Sequence, residues 1–473
     1  MSASFLCGSS IASCGAKNSD GAALFPAGHR FHHEGPPLAR VATVSLSQRA
    51  FLESLFRNAV AAAHPANCLA AHLPPPPAAG HLFMLAAGKA GASMAQVAEQ
   101  HFLDACGVPA SRIAGIAVTR RGYGCGTRRV RVIEAGHPMP DAAGLSATEE
   151  TLALARSALP DDLVLALVSG GASANWVAPV TGISLREKQD VTRQLLASGA
   201  SIVDVNTVRK HLSRIKGGRL AQAAYPARVV TVAISDVPGD DPAVIGSGPT
   251  VPDSTTLADA RDVASRYRLE LPPGVRDALA DSANETPKPG NAAFAGATFA
   301  LAARPAEVFR SVQSAVRAAG YEAVLLGADV EGEARVVAAA HARLACDLKA
   351  QGRRAVVLSG GELTVTLRGQ GRGGPNQEYA LALAIALAGA PGIAALAGDT
   401  DGTDGGTGRA EDPAGAFIDH TTLARAQRLG LHPAACLDDN NSTEFFEKLG
   451  DLLVPGPTLT NVNDFRAILV DSP

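Results

Sequence analysis

The chain has 473 residues, of which 47% are hydrophobic, 18% are charged and 4% are aromatic, and its net charge is −3. This length predicts more than one globular domain. The nearly balanced charge and the few aromatic residues argue against nucleic acid as a partner, and without a run of about 18 uncharged apolar residues we expect no membrane span.

Residues 1–45 differ in composition from the rest of the chain. They are rich in Gly, Ser, Ala, His and Pro and show little hydrophobic periodicity, so we predict a disordered N-terminal extension. The seven cysteines are scattered and form no C-x-x-C pair, a pattern typical of free thiols in a reducing compartment. We therefore expect a cytoplasmic protein.

The first regular elements are those of an α/β protein. Apolar residues recur at helical spacing over 51–60 and predict a helix. Residues 82–87 form an apolar run typical of a buried strand, and Gly88 and Lys89 separate this run from a second predicted helix. The ammonium group of Lys89 could reach a phosphate or a carboxylate, although a lysine without a function is equally common at such a position.

The same unit recurs in two places further along the chain. Residues 163–168 and 355–358 are continuous aliphatic runs, which predict parallel strands covered on both faces. Each run is followed by a Ser-Gly-Gly turn, whose backbone N–H groups could bind an anion. The two turns are Ser169-Gly170-Gly171 and Ser359-Gly360-Gly361.

A change in composition near residues 284–297 predicts an exposed connection between domains. On this basis we place an N-terminal α/β domain at 46–290 and a connecting α/β segment at 291–353. A C-terminal domain follows at 354–470.

Two acidic loops each follow a predicted strand. Their aspartates are Asp236, Asp240 and Asp241 in the first loop and Asp399, Asp401 and Asp404 in the second, which spans residues 398–408. The spacing in the second loop excludes a calcium-binding EF-hand. Carboxylates bind Mg²⁺ through one or two oxygens and leave the other positions to water and phosphate. The loops therefore predict a metal–nucleotide site, with a pair of solvated turns as the alternative.

Residues 206–220 carry an unusual concentration of positive charge. The cations are Arg209, Lys210, Arg214, Lys216 and Arg219. A helix with these residues could attract an anionic substrate into a cleft. A solvated basic face is an equally good interpretation of the pattern.

A glycine fingerprint keeps a different function open. Residues 369–374 read G-x-G-x-x-G, and Asp399 follows at a distance typical of dinucleotide-binding folds. Arg372 lies inside this loop, however, and a guanidinium is better suited to capture phosphate or carboxylate oxygens. The fingerprint keeps an NAD(P)H-dependent oxidoreductase as an alternative, and Arg372 argues against it.

The ordered set of loops resembles the glycerate 2-kinases of the MOFRL family. In chain order the matching segments are 88–90, 137–141, 169–173, 206–210, 235–240, 359–362, 373–378, 398–405 and 456–464. The resemblance covers about Ser45 to Leu469. One departure is Asn441, which stands where the family usually has an aspartate.

This resemblance implies an α/β fold of two domains with largely parallel sheets and the active site in the cleft between them. It implies transfer of the γ-phosphoryl group of ATP to the 2-hydroxyl of D-glycerate, with a divalent metal. Lys89 and Arg372 match the positions regarded as catalytic in the family. Members are often labelled hydroxypyruvate reductases, which is the same alternative that the glycine fingerprint raises.

The resulting hypothesis assigns each candidate residue a role. Lys89, Arg372 and Asp236 are the predicted catalytic residues. The predicted metal ligands for Mg²⁺ are Asp236, Asp240, Asp399, Asp401 and Asp404. The predicted ATP-binding residues are Gly88, Ser169, Gly170, Gly171, Ser359, Gly360, Gly361, Glu362 and Asn376. D-glycerate is the expected partner, with no nucleic acid and no membrane, and a homodimer is a candidate assembly. The alternatives are a hydroxypyruvate reductase and a nucleotide sensor without turnover.

Overall fold

A computed structural model describes residues 47–406, 409 and 411–471. The extension predicted at 1–45 lies outside the described residues, as do residues 407 and 408 of the second acidic loop. The helices, in chain order, are α1 Gln48–Ala63, α2 Pro65–Cys68, α3 Gly91–Gln100, α4 Ala142–Arg156, α5 Ala172–Asn175, α6 Leu185–Ala197, α7 Ile202–His211, α8 Arg219–Ala224, α9 Leu257–Arg266, α10 Pro273–Ala280, α11 Pro305–Ala318, α12 Ala334–Ala350, α13 Pro375–Leu387, α14 Thr422–Arg428, α15 Pro433–Asp438 and α16 Ser442–Leu449.

The first sheet is entirely parallel. Its strands are β1 Leu82–Ala87, β2 Ile113–Arg120, β3 Val130–Ala135, β4 Leu163–Val168, β5 Arg228–Ile234 and β6 Thr298–Ala303. They are arranged in the order β3-β2-β1-β4-β5-β6, and each neighbouring pair is parallel. The order reverses between β1 and β4, so the turns after these two strands diverge and leave a crevice at their carboxyl ends.

The second sheet corrects part of the predicted fold. Its strands are β7 Glu322–Gly327, β9 Ala355–Ser359, β11 Ile393–Asp399, β12 Gly415–Ile418, β13 Leu452–Leu453 and β14 Asp464–Val470, and a separate parallel pair is formed by β8 Gly332–Glu333 and β10 Leu363–Thr364. The order of the sheet is β13-β12-β11-β14-β9-β7. Only β7 and β9 are parallel, and the other four pairs are antiparallel. The α/β class is confirmed, but a largely parallel arrangement is correct only for the first sheet. A continuous apolar run indicates burial on both faces, and it carries no information about strand direction.

Strand β14 determines which side chains meet at the edge of the second sheet. It runs against both of its neighbours, so its first residues pair with the last residues of theirs. Asp464 pairs with Asp399 of β11, and Arg466 pairs with Ser359 of β9. The start of β14 and the ends of β9 and β11 therefore lie at one edge.

The predicted connecting segment 291–353 contributes to both sheets, because β6 is the edge strand of the first and β7 the edge strand of the second. Helix α1 packs on the second sheet, where the ring of Phe56 lies 6.0 Å from that of Phe465. One hydrophobic core includes these rings and residues of β1 and β4. The domain boundaries remain predictions.

Two further observations concern the expected class of protein. Over the described ranges, no helix combines the length and the apolar character needed to cross a membrane. Within the same ranges five cysteines are free thiols, at positions 68, 106, 125, 346 and 436.

Candidate active site

The two turns at the switch point of the first sheet interlock. Gly88 has a φ of 115°, and a Cβ atom there would lie 2.3 Å from Oγ of Ser169. The N–H of Lys89 donates to the carbonyl of Gly170 at 2.7 Å, and the N–H of Ala90 donates to Oγ of Ser169 at 3.0 Å. Only glycine permits this approach, which fixes where the side chain of Lys89 begins.

The ammonium group of Lys89 lies in an acidic environment. Its Nζ is 2.7 Å from Oδ2 of Asp401, and the Lys89 side chain is mostly buried. Burial disfavours its charge, but the carboxylates of Asp401, Asp399 and Asp236 outweigh burial and raise the pKa of Lys89 above its ordinary value. The structure thus brings three of the predicted site aspartates together with the predicted lysine.

Asp401 is held by residues that the sequence did not indicate. Nη1 of Arg120 lies 3.4 Å from its Oδ2, and the hydroxyl of Tyr123 donates to its backbone carbonyl at 2.9 Å. Burial acts to raise the pKa of Asp401, but Lys89 and Arg120 prevail and hold it below the usual value. The two cations therefore favour the ionised form of Asp401. Arg120 ends β2, and only the tertiary fold places it here.

Asp399 is the more open carboxylate of this loop. One of its oxygens accepts the N–H of Asp401 at 2.9 Å. Burial and the neighbouring charge of Asp401 raise the pKa of Asp399 well above its ordinary value. Such a carboxyl group would be stabilised by an additional cation.

Asp236 joins the two sheets. Its Oδ2 accepts a hydrogen bond of 2.6 Å from Nδ2 of Asn461, and its backbone carbonyl accepts one from Asn463. A Cβ atom on Gly170 would lie 1.9 Å from the same Oδ2. Burial raises the pKa of Asp236, and Lys89 acts in the opposite direction. Both asparagines lie in the predicted motif 456–464, but the sequence assigned them no role.

Several polar groups of the second Ser-Gly-Gly turn, which we predicted to bind ATP, are already hydrogen-bonded within the protein. Buried Arg466 donates to Oγ of Ser359 at 3.2 Å and to the carbonyl groups of Gly360 and Gly361, and its Nη1 lies 2.8 Å from Asp464. The N–H of Gly360 donates to a carbonyl of β7. This turn therefore holds the edge of the second sheet through its contacts with Arg466 and β7. Burial raises the pKa of Glu362, the next residue, which lines the cleft.

Asp404 has a structural position. Its oxygens accept the N–H groups of Asn376 at 3.0 Å and of Gln377 at 2.8 Å, in the first turn of α13. Asn376 also donates to Asp464 at 2.6 Å. Burial raises the pKa of Asp404 to about 7, although these hydrogen bonds oppose the shift. The carboxylate thus accepts the free N–H groups of a helix end, which argues against its predicted role as a metal ligand.

Arg372 is not brought together with Lys89. Its side chain is 63% exposed, and its Nη2 lies 3.4 Å from Oε2 of Glu447. The N–H groups of residues 368–372 donate to oxygens of Asp439, Asn440 and Asn441. A dinucleotide-binding loop needs such N–H groups free for a pyrophosphate. The backbone N–H groups of the glycine fingerprint are therefore used in the internal packing of this loop and are not free to bind a dinucleotide.

Asp240 also lies away from Lys89. Its closest cation is Arg304, at 3.8 Å, and its Oδ1 is buried without a hydrogen-bond partner. The described contacts do not connect it to Asp399 or Asp401. Across the described residues, no three His, Cys, Asp or Glu side chains are arranged to hold a metal ion by themselves.

A cleft of about 600 Å³ opens beside this cluster. It is lined by Gly170, Gly171 and Asp236 on the side of the first sheet, by Glu362 on the side of the second, and by Arg209 of α7. A cavity of about 700 Å³ beside α1 is larger, but it contains no member of the Lys89 cluster.

The basic segment 206–220 is divided among several environments. Lys210 pairs with Asp253 at 3.3 Å, and Arg214 donates to Glu149 at 2.9 Å. Lys216 is buried and donates to backbone carbonyls. Arg209 is the member of the predicted set that lines the cleft. The alternative of a solvated basic face therefore does not describe this segment, and the interpretation as a cation directed into a cleft applies to Arg209.

Comparison with known proteins shows which family has this architecture. The domain of unknown function DUF4147 matches residues 51–280, and the MOFRL family matches residues 355–464. An Agrobacterium vitis protein, provisionally named hydroxypyruvate reductase, is 45% identical over 431 residues, which cover 90% of this chain and 95% of that protein. The D-glycerate 2-kinase of Thermotoga maritima is 38% identical over 389 residues, covering 81% of this chain and 89% of that one.

A solved structure agrees with these matches. The crystal structure of glycerate kinase from Thermotoga maritima has a TM-score of 0.77 and 36% sequence identity, and covers 89% of this chain and 99% of that one. The fold and the site define an α/β protein with a charged cleft at the carboxyl ends of its strands. The chain belongs to the MOFRL family, in which a DUF4147 domain precedes the MOFRL domain.

Proposed function

We propose that this protein is a glycerate 2-kinase, which transfers the γ-phosphoryl group of ATP to the 2-hydroxyl of D-glycerate. The observation that carries this function is the buried ammonium of Lys89 at the switch point of the first sheet, 2.7 Å from Asp401. Phosphoryl transfer requires alignment and stabilisation of negative charge, and a fixed cation supplies both. The glycerate kinases among the relatives support the same conclusion.

Asp236 is the group that we assign to the hydroxyl proton. In the reaction the 2-hydroxyl oxygen forms a bond to the γ-phosphorus, the bond from that phosphorus to the bridging oxygen breaks, and ADP leaves. The hydroxyl proton passes to the carboxylate of Asp236. Because burial raises its pKa, this carboxylate is a stronger base than an exposed aspartate. Asn461 holds it in place through the 2.6 Å hydrogen bond.

The donor set fits a magnesium ion bound together with the nucleotide. Asp236, Asp399 and Glu362 have pKa values raised by burial around one ammonium group, so their combined negative charge favours a further cation. All are oxygen donors, and Mg²⁺ takes one or two carboxylates besides phosphate and water. When bound, Mg²⁺ would neutralise charge on the phosphoryl oxygens. Asp399 is the residue that we propose for it, because Asp236 is assigned to the hydroxyl proton and a bound cation would lower its basicity.

The structure argues against the reductase alternative. The glycine loop at 369–374 uses its backbone donors internally, as described above, and lies outside the first sheet. In dinucleotide-binding folds the fingerprint follows β1, but here that turn carries Lys89. The name of the Agrobacterium vitis relative therefore does not describe the chemistry of this site.

We further propose that ATP is the phosphoryl donor and that its phosphates lie beside the turn Ser169-Gly170-Gly171. The proposed location of the protein is the cytoplasm. A catalytic role of Arg372 would require its exposed side chain to leave Glu447 and enter the cleft. The homodimer remains a prediction.

Substitution of Lys89 tests the proposed function. We expect Lys89→Met to lower kcat for glycerate-dependent ADP formation about 1000-fold, because one fixed cation contributes several kcal/mol to the transition state. Lys89→Arg should restore part of the rate. Lys349→Met, which removes a half-buried lysine bonded to the carbonyl of Pro391 and remote from the cleft, is the matched control. A Lys89→Met rate within about threefold of wild type, a loss below ~1 kcal/mol, would overturn the assignment.

A further inference from the structure

One wall of the cleft presents a guanidinium group without a protein partner. Arg209 lies in the last turn of α7, is partly buried and lines the cleft. Its neighbours Lys210 and Arg214 are paired with carboxylates. The guanidinium of Arg209, by contrast, makes no hydrogen bond or ion pair with any residue that the structure describes. A desolvated guanidinium of this kind is an incomplete interaction, because a buried charge requires a counter-charge.

An amide on the same helix faces the same cleft. Asn206 is only 4% exposed, and its Oδ1 accepts a 3.1 Å hydrogen bond from Oγ of Ser247. Ser247 in turn contacts Oγ of Ser173 at 2.7 Å. Because the one hydroxyl proton of Ser247 is given to Asn206, Ser173 is the donor in the second contact. The amide oxygen is therefore used within the protein, and the Nδ2 donors of Asn206 have no partner in the described chain.

The charge of the cleft indicates what kind of anion fits. Arg209 is its one lining cation among the described residues, and the lining carboxylates are Asp236, Asp241, Glu331 and Glu362. A triphosphate at Arg209 would face these carboxylates with several negative charges. A group with a single negative charge is matched by one guanidinium. The phosphates have a separate cation in Lys89.

We infer that Arg209 and Asn206 bind the carboxylate of the acceptor hydroxy acid. This inference rests on the proposed function and specifies how its substrate is selected. A guanidinium has parallel N–H donors that match the two oxygens of a carboxylate, and the amide of Asn206 adds a further donor. The 2-hydroxyl is on the carbon next to the carboxylate, so anchoring at Arg209 holds it in the cleft that Asp236 also lines. Arg209 thus determines specificity for an acid over a neutral alcohol.

Kinetics with two acceptors test this inference. We expect Arg209→Gln to raise KM for D-glycerate about 100-fold, the effect of removing a buried charged partner, while KM for ATP stays within about twofold. Arg209→Lys, which keeps the charge but not the planar donors, should lie between. Wild type should strongly prefer D-glycerate over its neutral carboxamide, and Arg209→Gln should lose most of this preference. Arg186→Gln, on the exposed face of α6, is the control and should leave all constants unchanged.

Two kinds of result would contradict the assignment of Arg209 to the carboxylate. A rise in KM for ATP with an unchanged KM for glycerate would place a phosphate at Arg209 and overturn the inference. Unchanged constants, or an unchanged preference for the acid over the carboxamide, would also overturn it. Thermal unfolding of each variant checks that it is folded. Calorimetric titration with D-glycerate alone separates the two claims: if wild type forms no ADP, the proposed function fails, and weaker glycerate binding by Arg209→Gln still decides the inference.

Discussion

Gly170 is the residue at which the two halves of the site approach most closely. A side chain there would overlap Oδ2 of Asp236, at 1.9 Å, and Nδ2 of Asn461, at 2.2 Å. Such distances require the neighbours to move. The absence of a side chain at Gly170 is therefore what allows Asp236 and Asn461 to meet.

Substitution of Gly170 tests the importance of this contact. We expect Gly170→Ala to lower kcat about 100-fold or more, because displacement of Asp236 misplaces the group that accepts the proton. Gly296→Ala is the control, since a Cβ atom at Gly296 would meet nothing within 4 Å. Steady-state ADP formation is the measurement. An unchanged kcat in Gly170→Ala would show that the position of Asp236 does not limit the reaction.

His137 gives a second prediction at this scale, on stability. Burial, followed by the charges of Lys89 and Arg120, lowers its pKa to about 3. The unfolded chain takes up this proton near pH 6.5. Below that pH, protonation therefore favours unfolding, by at most about 1.4 kcal/mol per pH unit from this group. The stabilisation is present above pH 6.5 and is lost as the pH falls towards 3.

Urea unfolding at pH 7, 6 and 5 checks this expectation. The difference in unfolding free energy between wild type and His137→Gln should shrink as the pH falls, because the variant lacks the titrating group. His341, whose pKa is lowered to about 4 by burial, is present in both proteins and cancels. A difference independent of pH would contradict the assignment.

Individual residues were predicted from sequence where local pattern carried the signal. Lys89 and Asp236 each follow a strand by two residues and carry charge in a turn, so the local pattern indicated both, and the structure places them together with Asp401. Arg120 could not be found, because its role depends on the pairing of β2 with β1. Asp404 carried the same local signal as Asp401, but its partners come from α13.

At the scale of elements, α13 depends on a cap that is distant in sequence. Helices leave their first N–H groups unsatisfied, and the residue before Pro375 is a glycine without a side chain to accept them. Asp404 supplies that acceptor. Helix α13 and the acidic loop that contains Asp404 therefore stabilise each other.

We expect Asp404→Ala to lower the free energy of unfolding by about 3 kcal/mol, because two buried helix N–H groups lose their acceptor, while the side-chain amide of Gln377 keeps the backbone carbonyl of residue 404. Chemical denaturation measures the change, and Asp438→Ala, at a side chain 76% exposed, is the control. The Mg²⁺ concentration for half-maximal activity should stay the same. Normal stability with a raised Mg²⁺ requirement would return Asp404 to the metal.

Strand existence was predictable at this scale, but strand direction was not. The runs that became β1, β4 and β9 were located from their aliphatic residues. β14 lies antiparallel between β9 and β11 in the same kind of buried environment. Its direction follows from the path of the chain through both sheets, which no local pattern records.

For the whole molecule, the decisive feature is a hydrophobic core shared by both sheets. Phe56 of α1 lies against Phe465 of β14, while other members of the same core belong to β1 and β4. The described residues form one compact unit. A shared core couples the unfolding of the two sheets.

We therefore expect one cooperative calorimetric transition. Phe56→Ala should destabilise the protein by about 3–5 kcal/mol, the usual effect of removing a buried aromatic ring, and should shift that single transition. Leu159→Ala, at a side chain 65% exposed, should not shift it. Two separate transitions, with only one moved by Phe56→Ala, would show that the sheets belong to independently unfolding domains.

The central claim is that the cleft beside Lys89 phosphorylates D-glycerate at its 2-hydroxyl. One purified sample should be assayed for D-glycerate-dependent ADP formation with Mg²⁺·ATP, with phosphorus NMR to identify the product, and for hydroxypyruvate-dependent oxidation of NADH and NADPH. The account predicts ADP together with 2-phosphoglycerate, and no oxidation of either nicotinamide cofactor. Oxidation without glycerate-dependent ADP, or ATP binding without turnover in either assay, would contradict it.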